Sequence, residues 1–417
     1  MKIVLWHGYL LGGTGSNVYT RALARAWSRL GHDVVILCQE RNPEAYDLGG
    51  ARVVRPELPD DLLPVFVLDR YQGLEPRLLQ ELTRDQRERY VAANAAAVRA
   101  ELPADLVFAN HVLMGAPVAA AAGAPYAVKA HGSELEYSMR GNEELAAWGR
   151  ESLERARAVF VGSAHIRSVL EDVVGHVDRV HEVPPGVDVE EFRPEARDQA
   201  LERLLAEARH DPPNPANAEE RLPDEGNARR LATWFESDEP TVLYFGKLLY
   251  NKGVHLLFEA LRATGSEQRA IIVGFGDYRA ELERIAPPHT LFTGPLEHRH
   301  LVHLIPLCEV TVVPSIFPEA FGMVAAEAAA AGSLPLVARH SGLAEIADGL
   351  AAHYPDELEE LTSFETGDAG DLAAKLGRLL GLSEEERQSL RRAARAAVGA
   401  NWSWEQVSAR LLQPFTN

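Results

Sequence analysis

The feature that most constrains this chain is the run MVAAEAAAA at residues 323–331. Alanine is the best helix former, and Gly332 suits the position just past a helix end. The run therefore reads as a helix that is apolar on every face except at Glu327, and such a helix has to be buried. Before it, Thr311, Val312 and Val313 read as the end of a buried strand, Pro314 and Ser315 break that strand, and the loop 316–320 carries one acid, Glu319. A carboxylate on a buried helix is costly unless something pairs with it. Glu327 is thus either matched inside the protein or set to receive the hydroxyl groups of a ligand.

The helix is expected to start near Gly322, where a ligand can approach the backbone and the first N–H groups make an anion site. At 1.5 Å per residue, Glu327 lies roughly 7–8 Å along the axis from that end. Two acids flanking a phosphate-sized site suit a molecule with a diphosphate at its centre and sugar hydroxyls at both ends.

The rest of the chain repeats one pattern. Residues 3–6 read as a buried strand, and Gly12-Gly13-Thr14-Gly15-Ser16 as a glycine loop. A helix follows over 17–30 (Val18, Ala22, Leu23, Ala26, Trp27, Leu30), with a second strand over 34–38. This is the start of a doubly wound sheet, although the spacing is not the dinucleotide Gly-x-Gly-x-x-Gly fingerprint. The stretch 42–77 gives no clear assignment, and 78–102 reads as one long arginine-studded surface helix. A strand over 105–109 ends at Asn110-His111, and another over 126–130 runs into His131-Gly132-Ser133-Glu134, followed by Tyr137 and Arg140. In an open α/β sheet ligands collect outside the carboxyl ends of strands, which makes Asn110 and His111 candidate ligand contacts, with Glu134, Tyr137 and Arg140 on the following loop as lower-ranking candidates. A strand over 159–163 precedes a helix over 164–173 capped by Ser163.

The second half restarts in the same way. A strand over 241–245 breaks at Gly246-Lys247, and Lys252-Gly253 leads into an amphipathic helix. A strand over 270–273 turns at Gly274-Phe275-Gly276-Asp277, and one over 290–293 leads into Gly294-Pro295-Leu296. Lys247 and Lys252 stand where a departing diphosphate would develop charge. Between the halves, 195–240 is highly charged and reads as a surface insertion, with a helix at each end and a coil between them. His298, His300 and His303 run from a turn into a helix with no acid partner, so they are not read as a metal site. The chain has no Asp-x-Asp, and no metal is required.

Taken together, these motifs resemble the retaining, nucleotide-sugar-dependent glycosyltransferases of family 4, with the GT-B architecture. Those that carry the resemblance are Glu319-x7-Glu327 with Pro314-Ser315 before it and Phe321-Gly322 within it, Ser341-Gly342-Leu343-x-Glu345, the Gly246–Gly253 text, and Pro184-Pro185-Gly186-Val187-Asp188 at the place of the family's hinge. The resemblance implies two Rossmann-like parallel-sheet domains facing across a cleft. The acceptor domain would be 1–185 and the donor-nucleotide domain 186–398, with a terminal helix, 399–417, crossing back to the first. It implies His131 and Glu319 on the transferred sugar, Lys247 and Lys252 on the leaving group, and Glu327 on the ribose. Gly13, Gly246, Gly274, Leu296, Phe321, Gly322, Met323 and Val324 would line the donor. The chain departs from the family at Lys247, usually Arg, and at Pro185, usually Asn. The implied reaction is transfer from a UDP- or GDP-type sugar to an acceptor hydroxyl. An epimerase of the same fold, a pyridoxal-phosphate-dependent glycan phosphorylase and a non-catalytic sugar-nucleotide-binding subunit are the alternatives.

Composition narrows the partners. A balance of 61 acidic to 42 basic side chains, net −19, argues against nucleic acid and against electrostatic attachment to an anionic membrane. Transient peripheral contact stays open, as does the oligomeric state. Cys38 and Cys308 are far apart in apolar contexts and read as buried free thiols of a cytoplasmic protein.

Overall fold

The computed structural model describes every residue except 14, 68–72, 266–267 and 417; Thr14 of the glycine loop therefore lies outside the described residues. Two compact units divide the chain, Met1–Gly186 together with Trp404–Asn417, and Val187–Ser403.

The first unit holds β1 (Lys2–Trp6), β2 (Asp33–Leu37), β3 (Arg52–Val54), β4 (Leu62–Val65), β5 (Glu75–Leu78), β6 (Leu106–Asn110), β7 (Tyr126–Lys129), β8 (Ala158–Val161) and β9 (Val180–Glu182). Seven of them form one parallel sheet in the order β3-β2-β1-β6-β7-β8-β9, while β4 and β5 pair separately. Its central strands are buried on both faces, which is why they read as unbroken apolar runs. The helix expected over 78–102 begins later, at Arg84, and runs Arg84–Ala100. Thr83 and Gln86 form a reciprocal capping box there, while Glu75–Leu78 just before it pairs with β4. The Trp404–Leu412 helix belongs to this unit, where Trp27 Nε1 donates to the Ser408 carbonyl at 3.1 Å.

The second unit holds β10 (Thr241–Phe245), β11 (Arg269–Val273), β12 (Thr290–Gly294), β13 (Val310–Val313), β14 (Leu334–Ala338) and β15 (Ser363–Phe364), parallel in the order β12-β11-β10-β13-β14-β15. Each sheet reverses its winding once, between β1 and β6 in the first and between β10 and β13 in the second. Such a switch point opens a crevice at the carboxyl ends of the strands.

The insertion is no surface excursion. Its helices, Arg197–Ala208 and Asn227–Trp234, bury Ala200, Leu204 and Leu231 in the second unit's core. The coil between them is fixed by buried polar groups. The Asn214 side chain donates to the carbonyls of Glu219 and Pro223, and Asp224 takes a two-pronged ion pair from Arg279 at 2.8 and 2.6 Å. Asp224 N–H and the Asn227 amide both reach the Thr293 carbonyl at the end of β12, each at 2.8 Å.

Candidate active site

In the second unit the switch point is lined by the loops after β10 and β13. Gly253 has φ +69°, and a Cβ there would stand 1.8 Å from the Pro314 carbonyl oxygen, so only glycine lets the two loops meet. Ile316 N–H donates to the Asn251 carbonyl at 2.9 Å, closing the same junction. Across it Lys252 Nζ lies 2.5 Å from Glu319 Oε1, with both side chains about a quarter exposed. Glu319 is itself held from behind. Its N–H donates to Ser341 Oγ at 2.9 Å, its carbonyl accepts from Gly342 N–H at 3.1 Å, and His340 spans Ser341 Oγ and the Ser315 carbonyl. The Ser341-Gly342 text thus serves to set the loop that carries Glu319, and His340, which gave no signal in the sequence, is the wedge.

The Met323–Ala331 helix starts after Gly322, at φ +121°, and ends at Gly332 in the left-handed region. Its body packs into the core, with Phe321 buried before it and Met323 and Val324 half-buried in its first turn. Glu327 is half-buried and faces His298, whose Nε2 is 3.6 Å from Glu327 Oε1; His298 in turn stands edge-on to Phe192 at 4.8 Å. Gly246 and Lys247 are exposed, and the Lys247 carbonyl accepts from Tyr244 OH at 2.7 Å. Gly274 is buried beside Gly246, where a Cβ would meet the Gly246 carbonyl at 1.8 Å, and Leu296 is buried in the loop after β12. Lys252, Glu319 and Gly322 are therefore brought together, with Glu327 one and a half turns along the helix and Leu296 on the loop leading to His298.

The three histidines of this region do have acid partners, contrary to the sequence reading. His300 Nε2 is 2.9 Å from Asp211 and His303 Nδ1 is 2.8 Å from Glu195, and Arg299 ties Glu207 and Asp211 to the same helix. The carboxylates facing His300 and His303 come from the inserted segment and its approach, invisible to any local spacing, while that facing His298 is Glu327. Among the described residues no group of three or more His, Cys, Asp or Glu could hold a metal ion.

In the first unit the switch point gathers a cluster of rings. Pairing of Trp6 with Ala109 sets His7 beside Asn110 and His111. The His7 and His111 rings stack at 6.2 Å and those of His111 and His131 lie at 4.7 Å, with Tyr9, Tyr19 and Phe66 packed on their edges. His131 Nε2 meets Asn110 Oδ1 at 2.7 Å, and His7 Nε2 meets Asn17 Oδ1 at 2.8 Å. Glu134 is fully buried under this cluster. It takes His111 Nδ1 at 3.3 Å and the N–H groups of Val112 and His131 at 3.3 and 3.1 Å. Burial would raise its carboxyl, but His111 and these hydrogen bonds outweigh that and hold it below the usual range. Burial pushes His7 down to about 3, with His111 adding to the effect. It likewise holds His131 well below the ordinary value, helped by His111, Lys129 and His7.

Tyr137 and Arg140 stand apart from this cluster. The segment after Glu134 is a π-helical turn, Leu135–Met139, with Tyr137 exposed on it, and Arg140 is bound to Glu136 and Asp172 at the surface. Gly13 is exposed on the glycine loop. His7 and Asn17 were missed by sequence reasoning, as was Lys129, a buried lysine whose Nζ donates to the Val183 carbonyl at 2.6 Å. A polar residue at the end of each strand flanking a switch point was the signal that could have found His7.

Comparison with known proteins identifies relatives of both units. Residues 230–397 match the model of glycosyl transferases group 1, and residues 14–186 match that of the glycosyl transferase 4-like domain. Residues 187–229, most of the insertion, lie outside both. The chain is 30% identical over 280 residues to a D-inositol 3-phosphate glycosyltransferase of Xylanimonas cellulosilytica, a match covering 64% of this chain and only 58% of that relative. It is 27% identical to an MMP alpha-(1->4)-mannosyltransferase of Mycolicibacterium hassiacum, over 96% of this chain and 94% of the relative. Among solved structures, Anabaena HepE in complex with UDP and glucose shares the fold with a TM-score of 0.68 at 16% identity, covering 99% of this chain and 98% of that one. By its matched domains and its two Rossmann-like sheets, the chain belongs to the family-4 glycosyltransferases of GT-B fold.

Proposed function

We propose that this protein transfers a hexose from a nucleoside diphosphate sugar to an acceptor hydroxyl with retention at the anomeric carbon, in the cytoplasm and without a metal ion. The observation that carries the reading is the Lys252–Glu319 pair at 2.5 Å, set by Gly253 and Ser341 just ahead of the helix that begins after Gly322. A cation and a carboxylate paired on the loops just before the positive end of a helix support a reading in which a diphosphate with a sugar attached binds there.

In this account the second unit binds the donor. Glu327, beside His298, takes the ribose hydroxyls, and the backbone around Gly294 and Leu296 reads the base. Phe321, Met323 and Val324 line the path between, and Gly246 and Gly274 let the nucleotide approach the main chain. Lys247, Lys252 and the N–H groups after Gly322 stabilise the diphosphate as the glycosidic bond breaks. The first unit binds the acceptor around His111 and Asn110, with Glu134, Tyr137 and Arg140 in its surroundings; Gly13 lines the donor, and His131 contacts the transferred sugar. The acceptor hydroxyl forms the new bond on the face the diphosphate leaves, and its proton passes to a departing phosphate oxygen. Met1–Gly186 acts as the acceptor domain and Val187–Ser403 as the donor domain, with Trp404–Asn417 as the returning segment in place of the 399–417 expected.

Incubation with UDP-, GDP- and ADP-sugars and an acceptor panel, read by NMR at the anomeric carbon, tests this. An axial donor should give an axial product, with EDTA present. Conversion of donor alone into a second sugar nucleotide would instead establish an epimerase, and an inverted product would refute retention.

A further inference from the structure

β12 is the outer strand of the second unit's sheet, so the loop that leaves it has no neighbouring strand on one flank. The insertion supplies that flank. The Thr293 carbonyl accepts from Asp224 N–H and from Asn227 Nδ2, each at 2.8 Å, two donors for its two lone pairs, and the Phe292 carbonyl takes the Arg230 guanidinium at 2.6 Å. Asp224 and Asn227 are 4% and 2% exposed, so water has little access to these bonds. Gly294, with φ +68°, closes the junction: a Cβ there would stand 2.6 Å from Asp224 Oδ1, 2.9 Å from Asp224 N and 3.1 Å from the Leu222 carbonyl oxygen. On its other side the Gly294 carbonyl accepts from Gly274 N–H at 3.0 Å, and Gly274 abuts the Gly246 carbonyl in turn. The insertion is thus the outermost member of a row of main-chain contacts that runs along the carboxyl ends of β12, β11 and β10. Residues 222–229, which make most of its contacts, match neither family model.

We infer that the insertion determines base specificity in the donor site: Asp224, Asn227 and Arg230 are positioning residues that hold the main chain of Thr293–Leu296 in the shape that tells one nucleoside base from another. The inference rests on the reading that the backbone around Gly294 and Leu296 contacts the base. A main-chain N–H or carbonyl has no rotamer to adjust. It meets the donors and acceptors on a uracil, guanine or adenine edge only where the loop's own dihedrals aim it, and a shift of about 1 Å takes a hydrogen bond out of range. The brace grips β12 and its loop, whereas Lys252 and Glu319 are set by the loops after β10 and β13. Its loosening therefore falls on the choice of base and not on the diphosphate.

Asn227→Asp tests this with almost no change of size. It keeps the Oδ1 that accepts from Arg230 Nη1 at 3.1 Å, and it turns a second carboxylate oxygen, in place of a donor, towards the Thr293 carbonyl. Two measurements on the full chain are needed. Hydrogen exchange without ligand should show the amides of 293–298 exchanging at least fivefold faster in N227D than in the wild type. Calorimetric titration with UDP, GDP and ADP should show the wild type preferring one of them at least tenfold over another. N227D should shrink that ratio by about fivefold or more, the worth of roughly one hydrogen bond. A brace that serves stability alone would weaken all three nucleotides by one factor and leave their ratio unchanged. Should N227D fail to unfold cooperatively, Arg230→Met takes its place: its side chain is about a third exposed, and losing its bond to Phe292 should shift the same ratio in the same direction. Equal affinity of the wild type for the three nucleotides, an unchanged ratio in the folded variant, or unchanged exchange over 293–298 would overturn the inference. Failure of the wild type to bind any nucleotide would remove the donor-site reading itself, an outcome distinct from binding with an unchanged ratio.

Discussion

Asp224→Ala is the sharpest test of the insertion as an integral part of the donor-side unit. The Asp224 side chain is 2% exposed and accepts both prongs of Arg279, with Arg230 a further 3.6 Å away. Truncation leaves Arg279, whose side chain is 16% exposed, without its buried partner. Breaking a buried ion pair by removing one member costs roughly 3–5 kcal/mol. Arg279 keeps Glu283 at 2.8 Å and some access to water, which brings the expected loss to about 2–4 kcal/mol. For a unit of this size that lowers Tm by about 5–15 °C. Urea unfolding followed by tryptophan fluorescence suits the purpose, because Trp234 closes the insertion's second helix with Arg269 over its ring. A double-mutant cycle with Arg279→Ala should return a coupling of about 1–3 kcal/mol. A loss below 0.5 kcal/mol in Asp224→Ala, on the order of an ordinary surface change, would refute the reasoning and return the insertion to a surface excursion.

Other expectations concern the reacting end and two buried bases. Lys252→Ala and Glu319→Ala should each lower turnover by roughly 10²–10³-fold while the unfolding transition stays cooperative; near-normal rates in both would dismiss the site. His7 is held neutral, its folded value of about 3 lying below the 6.5 of an unfolded histidine. Its contribution is therefore complete above pH 6.5 and is lost as pH falls towards 3; between pH 7.5 and pH 5 that is about 2 kcal/mol. His7→Gln should flatten that part of the stability profile, and an unchanged slope would show that the ring is not buried neutral. Burial, assisted by Arg410, lowers Lys129 to about 7 from an unfolded 10.5, so its share of stability is fully present above pH 10.5 and shrinks as pH falls towards 7. Lys129→Met removes that penalty and loses one hydrogen bond to Val183, and should raise stability at pH 7 by about 1–3 kcal/mol in chemical unfolding.

The parallel strands of the second unit were legible because strands buried on both faces appear as short apolar runs between glycines, as in Thr241–Phe245 and Arg269–Val273. The Met323–Ala331 helix was legible because composition and end signals agreed there. The Arg84–Ala100 helix was overextended because the reading followed arginine spacing and passed over the Thr83-x-x-Gln86 cap. Glu327 was read as either matched inside the protein or set to receive a ligand, and His298, read only as no part of a metal site, stands beside it. His7 went unseen because its meaning depends on Asn17 and on His111, which only the pairing of β1 with β6 brings to it. The ion pairs of Arg279, Arg299 and His303 join the insertion to helices some 55 to 108 residues away, a separation no local pattern reports.

The claim on which everything else rests is a nucleotide-sugar site in the second unit. Calorimetric titration of the intact chain with UDP, GDP and ADP in the presence of EDTA measures it directly. Saturable one-to-one binding of one of these nucleotides, weakened at least tenfold in Lys252→Ala and in Glu327→Ala and unaltered by added magnesium, is the result the account predicts. Binding of none of them, or binding that appears only when magnesium is supplied, would contradict it.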